Sequence, residues 1–151
     1  MNLIRLLPLL FCLAASVVAA DLPSAKIIKV LPQFLDKQGR ISTAPSLYTR
    51  DAYQALLRAH PEQRSGLRFM VQWKAHNVSA LKMKVEMRGL RTNEATTATL
   101  ETPLVKKGLF STWSEVALKG DEYKKFGEMV AWRVTFCEGK DVLAEQRSFL
   151  W

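Results

Sequence analysis

Side chains that could do chemistry are few in this 151-residue chain, and they stand apart. His60 and His76 both fall in expected connections, and neither has a second His or Cys at metal-ligand spacing. Cys137 could pair with one of them as a thiolate and its base, but no local spacing sets up that pair. Asp51, Glu86, Glu101 and Glu115 are scattered rather than coupled, so no general acid and base partnership is marked. A glycine-rich phosphate loop, a nucleophile elbow and an HExxH helix are all missing from the sequence. The expectation is a protein that is not an enzyme, with no catalytic, cofactor-binding or metal-binding residues. A small hydrolase or thiol enzyme with a dispersed site is the weaker alternative.

Binding chemistry is better represented. Arg68 and Lys74 alternate with Met70 and Gln72 along one stretch, and Lys82, Lys84 and Arg88 recur on the next, opposed by Glu86. If the two stretches are neighbouring strands, five cations share one sheet face suited to acidic glycan or anionic lipid headgroups. If they lie in opposite sheets, the patch divides into two ordinary solvated faces. Met70, on the wet side, marks either a contact surface or a position under a helix. Tyr48, Arg50, Tyr53 and Arg58 could form a second binding ridge. The plainer reading is a helical lid whose tyrosines cover apolar sheet and whose arginines are solvated.

What delivers these residues, and to which compartment, is written in the first stretch. Residues 1–20 carry Arg5, then an apolar run ending in Val18-Ala19-Ala20, the pattern of a cleaved secretory signal. That run is about 15 residues, short of the roughly 20 that span a bilayer, although an uncleaved anchor stays open. Phe11 before Cys12 argues against a lipoprotein. Once Arg5 is removed, 21 basic side chains face 14 acidic ones, a formal charge of +7 on residues 21–151. An exported, basic protein suits an acidic partner, polysaccharide or membrane surface, and nucleic acid is not expected. Cys137 would then stand alone, so no intramolecular disulfide is available and packing must supply the stability.

The elements follow from hydropathy period. Residues 26–35 read as an edge strand broken or bulged at Pro32. Residues 36–40 read as a turn, and 41–46 as an extended stretch. Apolar residues then recur at three and four from Leu47 to Ala59, predicting one helix, with Ser46 or Thr49 as cap and Pro61 enforcing the end. Leu67, Phe69, Val71, Trp73 and Ala75 alternate with polar residues, as do Leu81, Met83, Val85 and Met87, with Gly89 closing the second strand. Residues 95–100 and 109–118 are further strands, and 119–127 a polar link with Tyr123 at its corner. Val130, Trp132, Val134 and Phe136 share a face. Glu138-Gly139-Lys140-Asp141 then turns the chain into a last strand reaching Trp151.

About seven short strands and one helix between the first and second predict a mainly β fold, an antiparallel two-sheet sandwich filling residues 21–151. The expected core is Leu67, Phe69, Val71, Trp73, Leu81, Met83, Val85, Val130, Trp132, Val134 and Phe136. On the Trp-Arg-Val-Thr-Phe and Ser-Phe-Leu-Trp segments, the chain resembles immunoglobulin-like or fibronectin-type-III-like sandwiches, and small exported bacterial proteins of that kind. That resemblance implies a fold and no activity. It also favours placing consecutive strands in opposite sheets, which would divide the cations. The functional expectation is an exported, non-catalytic binding or structural module of the envelope or extracellular space, engaging another protein. Acidic glycan or anionic lipid binding is the alternative.

Overall fold

The computed structural model describes residues 21–108 and 110–151, and the expected signal, residues 1–20, lies outside the described residues. Seven strands occur: β1 (Ser24–Asp36), β2 (Arg64–His76), β3 (Leu81–Arg91), β4 (Glu94–Pro103), β5 (Thr112–Lys119), β6 (Glu128–Glu138) and β7 (Asp141–Arg147). Helix α1 (Leu47–Ala59) lies between β1 and β2, and α2 (Gly120–Phe126) between β5 and β6. The strands form two antiparallel sheets, β1-β2-β5 and β4-β3-β6-β7. The mainly β, two-sheet expectation holds.

Unbroken period-two alternation sends one face of β2 and one face of β3 to the same core from opposite sides. Phe69, Val71, Met83, Val85, Val134 and Phe136 are fully buried. Edge-to-face aromatic pairs join the sheets: Phe69 meets Trp132 at 6.0 Å between centroids, and Trp73 meets Phe136 at 5.7 Å. Trp73 also donates its indole N–H to Ser114 Oγ, 2.9 Å away, so its polar edge is satisfied inside the fold.

One expected core residue is on the wrong side. Between the pairs Arg88–Ala131 and Gly89–Met129 the register of β6 against β3 shifts, leaving Val130 as the extra residue of a bulge. Its side chain is 47% exposed, and Met129 packs inward in its place. Gly89 does not end β3. It lies within the strand because the Phe126 ring sits over it, where a Cβ would come within 2.8 Å of two ring carbons.

Other boundaries also move. β1 runs through Pro32 without a break, and its irregularities fall on either side, between Ile27 and Lys29 and between Leu35 and Asp36. Pro32 shares the parity of Phe34, whose N–H and C=O point away from β2 to Gln54, so the missing proline N–H costs the ladder nothing. The link at 119–127 contains the second helix, with Phe126 buried beneath it. Tyr123 belongs to that helix rather than to a loop corner. β5 begins only at Thr112, and Phe110, expected on it, precedes it and is exposed. β4 is longer than predicted, reaching Pro103. β7 stops at Arg147, four residues short of the predicted end at Trp151. Ser148 ends the pairing by bonding both N–H and C=O of Trp132, after which Phe149 and Leu150 stand in solvent.

Helix α1 is fastened at its middle by Gln54 and at its C-terminal end by Arg64 of β2. Gln54 accepts from the Phe34 N–H at 2.8 Å and donates to the carbonyls of Phe34 and Ile41, each at 2.9 Å. The Arg64 guanidinium binds the carbonyls of Leu57 and Arg58, where the helix leaves its own acceptors unpaired. It also pairs with Glu128 at 2.5 Å and lies 3.9 Å over the Phe34 ring. Ser46 stands at the N-cap position, but its hydroxyl makes no capping bond.

Candidate functional site

The two sides of the sandwich differ. On one, edge strands β1 and β7 contact each other. On the other, β4 and β5 meet less extensively, and a groove of about 480 Å³ is lined by Thr96 to Leu100, Leu118, Glu122, Lys125 and Phe126. Five consecutive β4 residues form one wall; the end of β5 and the inner turn of α2 form the other. Thr96 Oγ donates to the Phe126 carbonyl at 2.5 Å and pins α2 to one end of the strand.

β4 itself is what makes this groove a candidate. An edge strand offers a row of unpaired backbone groups, and proteins blunt such edges with proline, charge, bulges or cover. β1 is blunted by Gln54, Pro32 and its bulge. β7 is short, seven residues, and is irregular opposite Phe136 and Cys137. β4 has ten residues in unbroken register with β3, and no charge, proline or glycine between Glu94 and Glu101. Thr97 and Thr99 point to solvent, while Ala98 and Leu100 pack toward the core.

The cations singled out from sequence are divided. Arg68, Met70 and Lys74 lie on the outer face of sheet β1-β2-β5, and Lys82, Lys84 and Arg88 on the outer face of the other sheet. Several are also engaged. Arg68 binds Glu115 and Gln33, and Lys84 reaches Glu86 at 3.1 Å, where Arg133 also converges at 2.7 Å. Glu86 is half-buried; burial would raise its pKa, but the bonds from Arg133 and Lys84 outweigh it and hold the carboxyl below its ordinary value. Arg88 and Arg133 stack on Trp151, 4.2 and 4.8 Å from its ring centroid. Met70 is half-buried in the middle strand of its sheet, between Leu31 and Glu115 by register, and not under a helix.

The helical ridge divides too. Tyr48 is 85% exposed. Tyr53 turns inward and donates to Asp36 Oδ2 at 2.8 Å. Asp36, 2% exposed, also accepts from the backbone N–H of Gln38 and Arg40 and from the Arg40 side chain. Burial would raise its pKa, but these donors prevail and hold it below 3.8, while the same bond to Asp36 pushes Tyr53 up. The cluster clamps the turn after β1 to the helix.

Arg50 and Arg58 face another way. With Asp51 and Gln54 they line a cleft of about 440 Å³ against Lys29, Leu31, Pro32 and Gln33 of β1. Arg50 and Arg58 were visible in sequence; Lys29 and Gln33 were not, because nothing local places β1 beside this helix face.

His60 and His76 are exposed at opposite ends of β2, His60 just ahead of it and His76 its last residue, and do not meet. Cys137 is half-buried on β6, paired by register with Lys82 and Val142. Among the described residues no group of three or more His, Cys, Asp or Glu could hold a metal ion. No helix among them is long and apolar enough to cross a membrane.

No family model matches the chain, and no curated protein matches it. Among solved structures, it is similar to a crystal structure from Akkermansia muciniphila, with a TM-score of 0.56 and 11% identity. The match covers 84% of this chain and 70% of that one. At that identity the likeness concerns the fold alone.

Proposed function

We propose that this chain is an exported, non-catalytic binding module of the cell envelope or extracellular space, which takes an extended segment of another protein onto the edge of β4. The observation that carries the reading is the β4 edge: long, regular, uncharged at its centre, and lining an open groove. A partner strand added there would complete backbone hydrogen bonds along β4 and lay alternate side chains against Leu118 and Phe126, the way strand addition gives both affinity and selectivity.

The export part rests on the apolar run of residues 1–20. We further read the sandwich as immunoglobulin-like, of the fibronectin-type-III kind. Support comes from the strand order, with β1, β2 and β5 in one sheet, β3, β6 and β7 in the other, and β4 joined to β3.

A photo-crosslinking residue at Ala95, exposed on β4 two residues before Thr97, tests the reading in the native envelope. The expected product is a single stoichiometric partner, lost when Thr97 and Thr99 are both replaced by Lys and the melting temperature is unchanged. Recovery of no such partner, or equal recovery with the double variant, would overturn it.

A further inference from the structure

We infer that the cleft between α1 and β1 is a binding site for an acidic saccharide unit, a sugar bearing a carboxylate or sulfate. This site is independent of the β4 edge and of the cations on β3, and Arg68 of β2 enters it only by holding Gln33. Three positive side chains line it, Lys29 from the strand and Arg50 and Arg58 from one face of the helix, against a single carboxylate, Asp51. Asp51 is committed: its Oδ1 takes both the Nε and Nη2 of Arg50, at 3.0 and 2.8 Å. That pairing fixes Arg50 in place and leaves its other terminal nitrogen free. Neither the Arg58 guanidinium nor the Lys29 ammonium has a side-chain partner among the described residues.

The floor of the cleft points the same way. Gln33 is 6% exposed, and its Oε1 accepts from Arg68 at 3.0 Å. That bond turns its amide Nε2 the other way, and the nitrogen has no partner among the described residues although the residue lines the cleft. That nitrogen keeps a solvent-accessible edge, so it is a donor that a ligand in the cleft can reach. Gln54, the remaining polar residue, spends its oxygen on Phe34 and its nitrogen on Phe34 and Ile41. The capacity left over is mostly donor: one ammonium, two guanidinium groups and an amide, against the second oxygen of Asp51. Such a balance favours an oxyanion over a cation.

Leu31 and Pro32 add an apolar strip to the same wall. A pyranose ring has C–H faces to lay on that strip and an acidic edge to turn toward the cations. The recess is enclosed by strand on one side and helix on the other, and about 440 Å³ holds one small ligand group rather than a flat membrane surface.

The test is ¹⁵N NMR titration of residues 21–151 with a heparin-derived tetrasaccharide, inorganic sulfate, neutral maltotetraose and vesicles rich in phosphatidylglycerol. The acidic tetrasaccharide should shift amides in residues 29–33 and 47–58, and maltotetraose should not. Affinity should fall as sodium chloride rises. Replacing Lys29 and Arg58 together by Ser, both exposed and outside the core, should weaken binding roughly tenfold or more, as loss of hydrogen bonds from charged donors does. The Lys82→Ser, Lys84→Ser, Arg88→Ser variant should bind as tightly as the parent. Shifts confined to β3 and β6, or an unaltered Lys29/Arg58 variant, would overturn the assignment. So would sulfate binding as tightly as the saccharide, or vesicle binding at this cleft without saccharide binding.

Discussion

The Gln54 side chain binds the backbone of Phe34 as a paired strand would, accepting from its N–H at 2.8 Å and donating to its C=O at 2.9 Å. A single amide thus closes the outer edge of β1 where no strand is available. It also ties the helix to the loop through the Ile41 carbonyl. Helix docking and edge protection are one interaction.

Removing that amide should be expensive. Gln54→Ala leaves the N–H and C=O of Phe34 and the C=O of Ile41 without partners in a buried setting, a loss of about 3 kcal/mol. Gln54→Glu should be nearly as damaging at neutral pH, because a carboxylate accepts from the Phe34 N–H but cannot donate to either carbonyl. Urea unfolding midpoints measure both. A Glu variant as stable as the parent would show that the donor bonds are immaterial.

The bulge at Val130 separates two apolar residues that sequence places on one face. Val130→Ser should change stability by no more than about 0.5 kcal/mol, as exposed substitutions do. Phe136→Ala, on the same strand but fully buried, should cost about 3–5 kcal/mol. Thermal or denaturant melts of the two variants give the comparison directly.

Gly89 should not tolerate a side chain. A methyl group there would press on the Phe126 ring and on Thr96 Oγ1, so Gly89→Ala should cost about 1–3 kcal/mol. Since Phe126 belongs to α2, the same variant should raise amide exchange across Gly120–Phe126. Unchanged protection there would mean that the ring moves aside without disturbing the helix.

Acid should weaken the clamp around Asp36. Its pKa is held below 3.8 in the folded chain, so its stabilising contribution is complete above the unfolded value and disappears as pH falls through the folded one. The stability difference between the parent and Asp36→Asn should therefore be full at neutral pH and shrink below about pH 3.8. A difference that stays constant down to pH 2 would show that the carboxylate is not the group responsible.

Trp151 lies against Arg88 and Arg133 although no strand carries it there. Trp151→Ala should lose about 1 kcal/mol, the worth of two partly exposed cation–π contacts, whereas Phe149→Ala should be neutral. Melting temperatures of the two single variants distinguish anchoring by the indole from a general effect of the segment.

Sequence made the two central strands readable because β2 and β3 alternate without interruption, and a side-chain period of two leaves one assignment of faces. β6 follows the same rule only from Trp132 onward. The bulge inserts Val130 opposite the Arg88–Gly89 step of β3, a pairing between distant segments that the local pattern of β6 does not carry. α2 escaped notice because seven polar-rich residues with Tyr123 and Phe126 at helical spacing also read as a link. The groove was beyond sequence for a different reason: which strand stands at an edge is decided by pairings between distant segments. The cleft was half legible. Arg50 and Arg58 share a helix face, but Lys29 and Gln33 arrive from β1 through the turn clamped by Asp36.

Strand β6 lies between β3 and β7, while β3 has only β4 and β6 as neighbours. The second sheet therefore cannot assemble around the β3–β4 hairpin until β6, far along the chain, has arrived. A topology dominated by such distant pairings predicts folding in milliseconds to seconds rather than microseconds. Until then the strand carrying Met83, Val85 and Met87 has an open edge where β6 will pair. Under the export proposed above, that interval would stay open until β6 emerged, and the rate of delivery, as well as final stability, would set the yield.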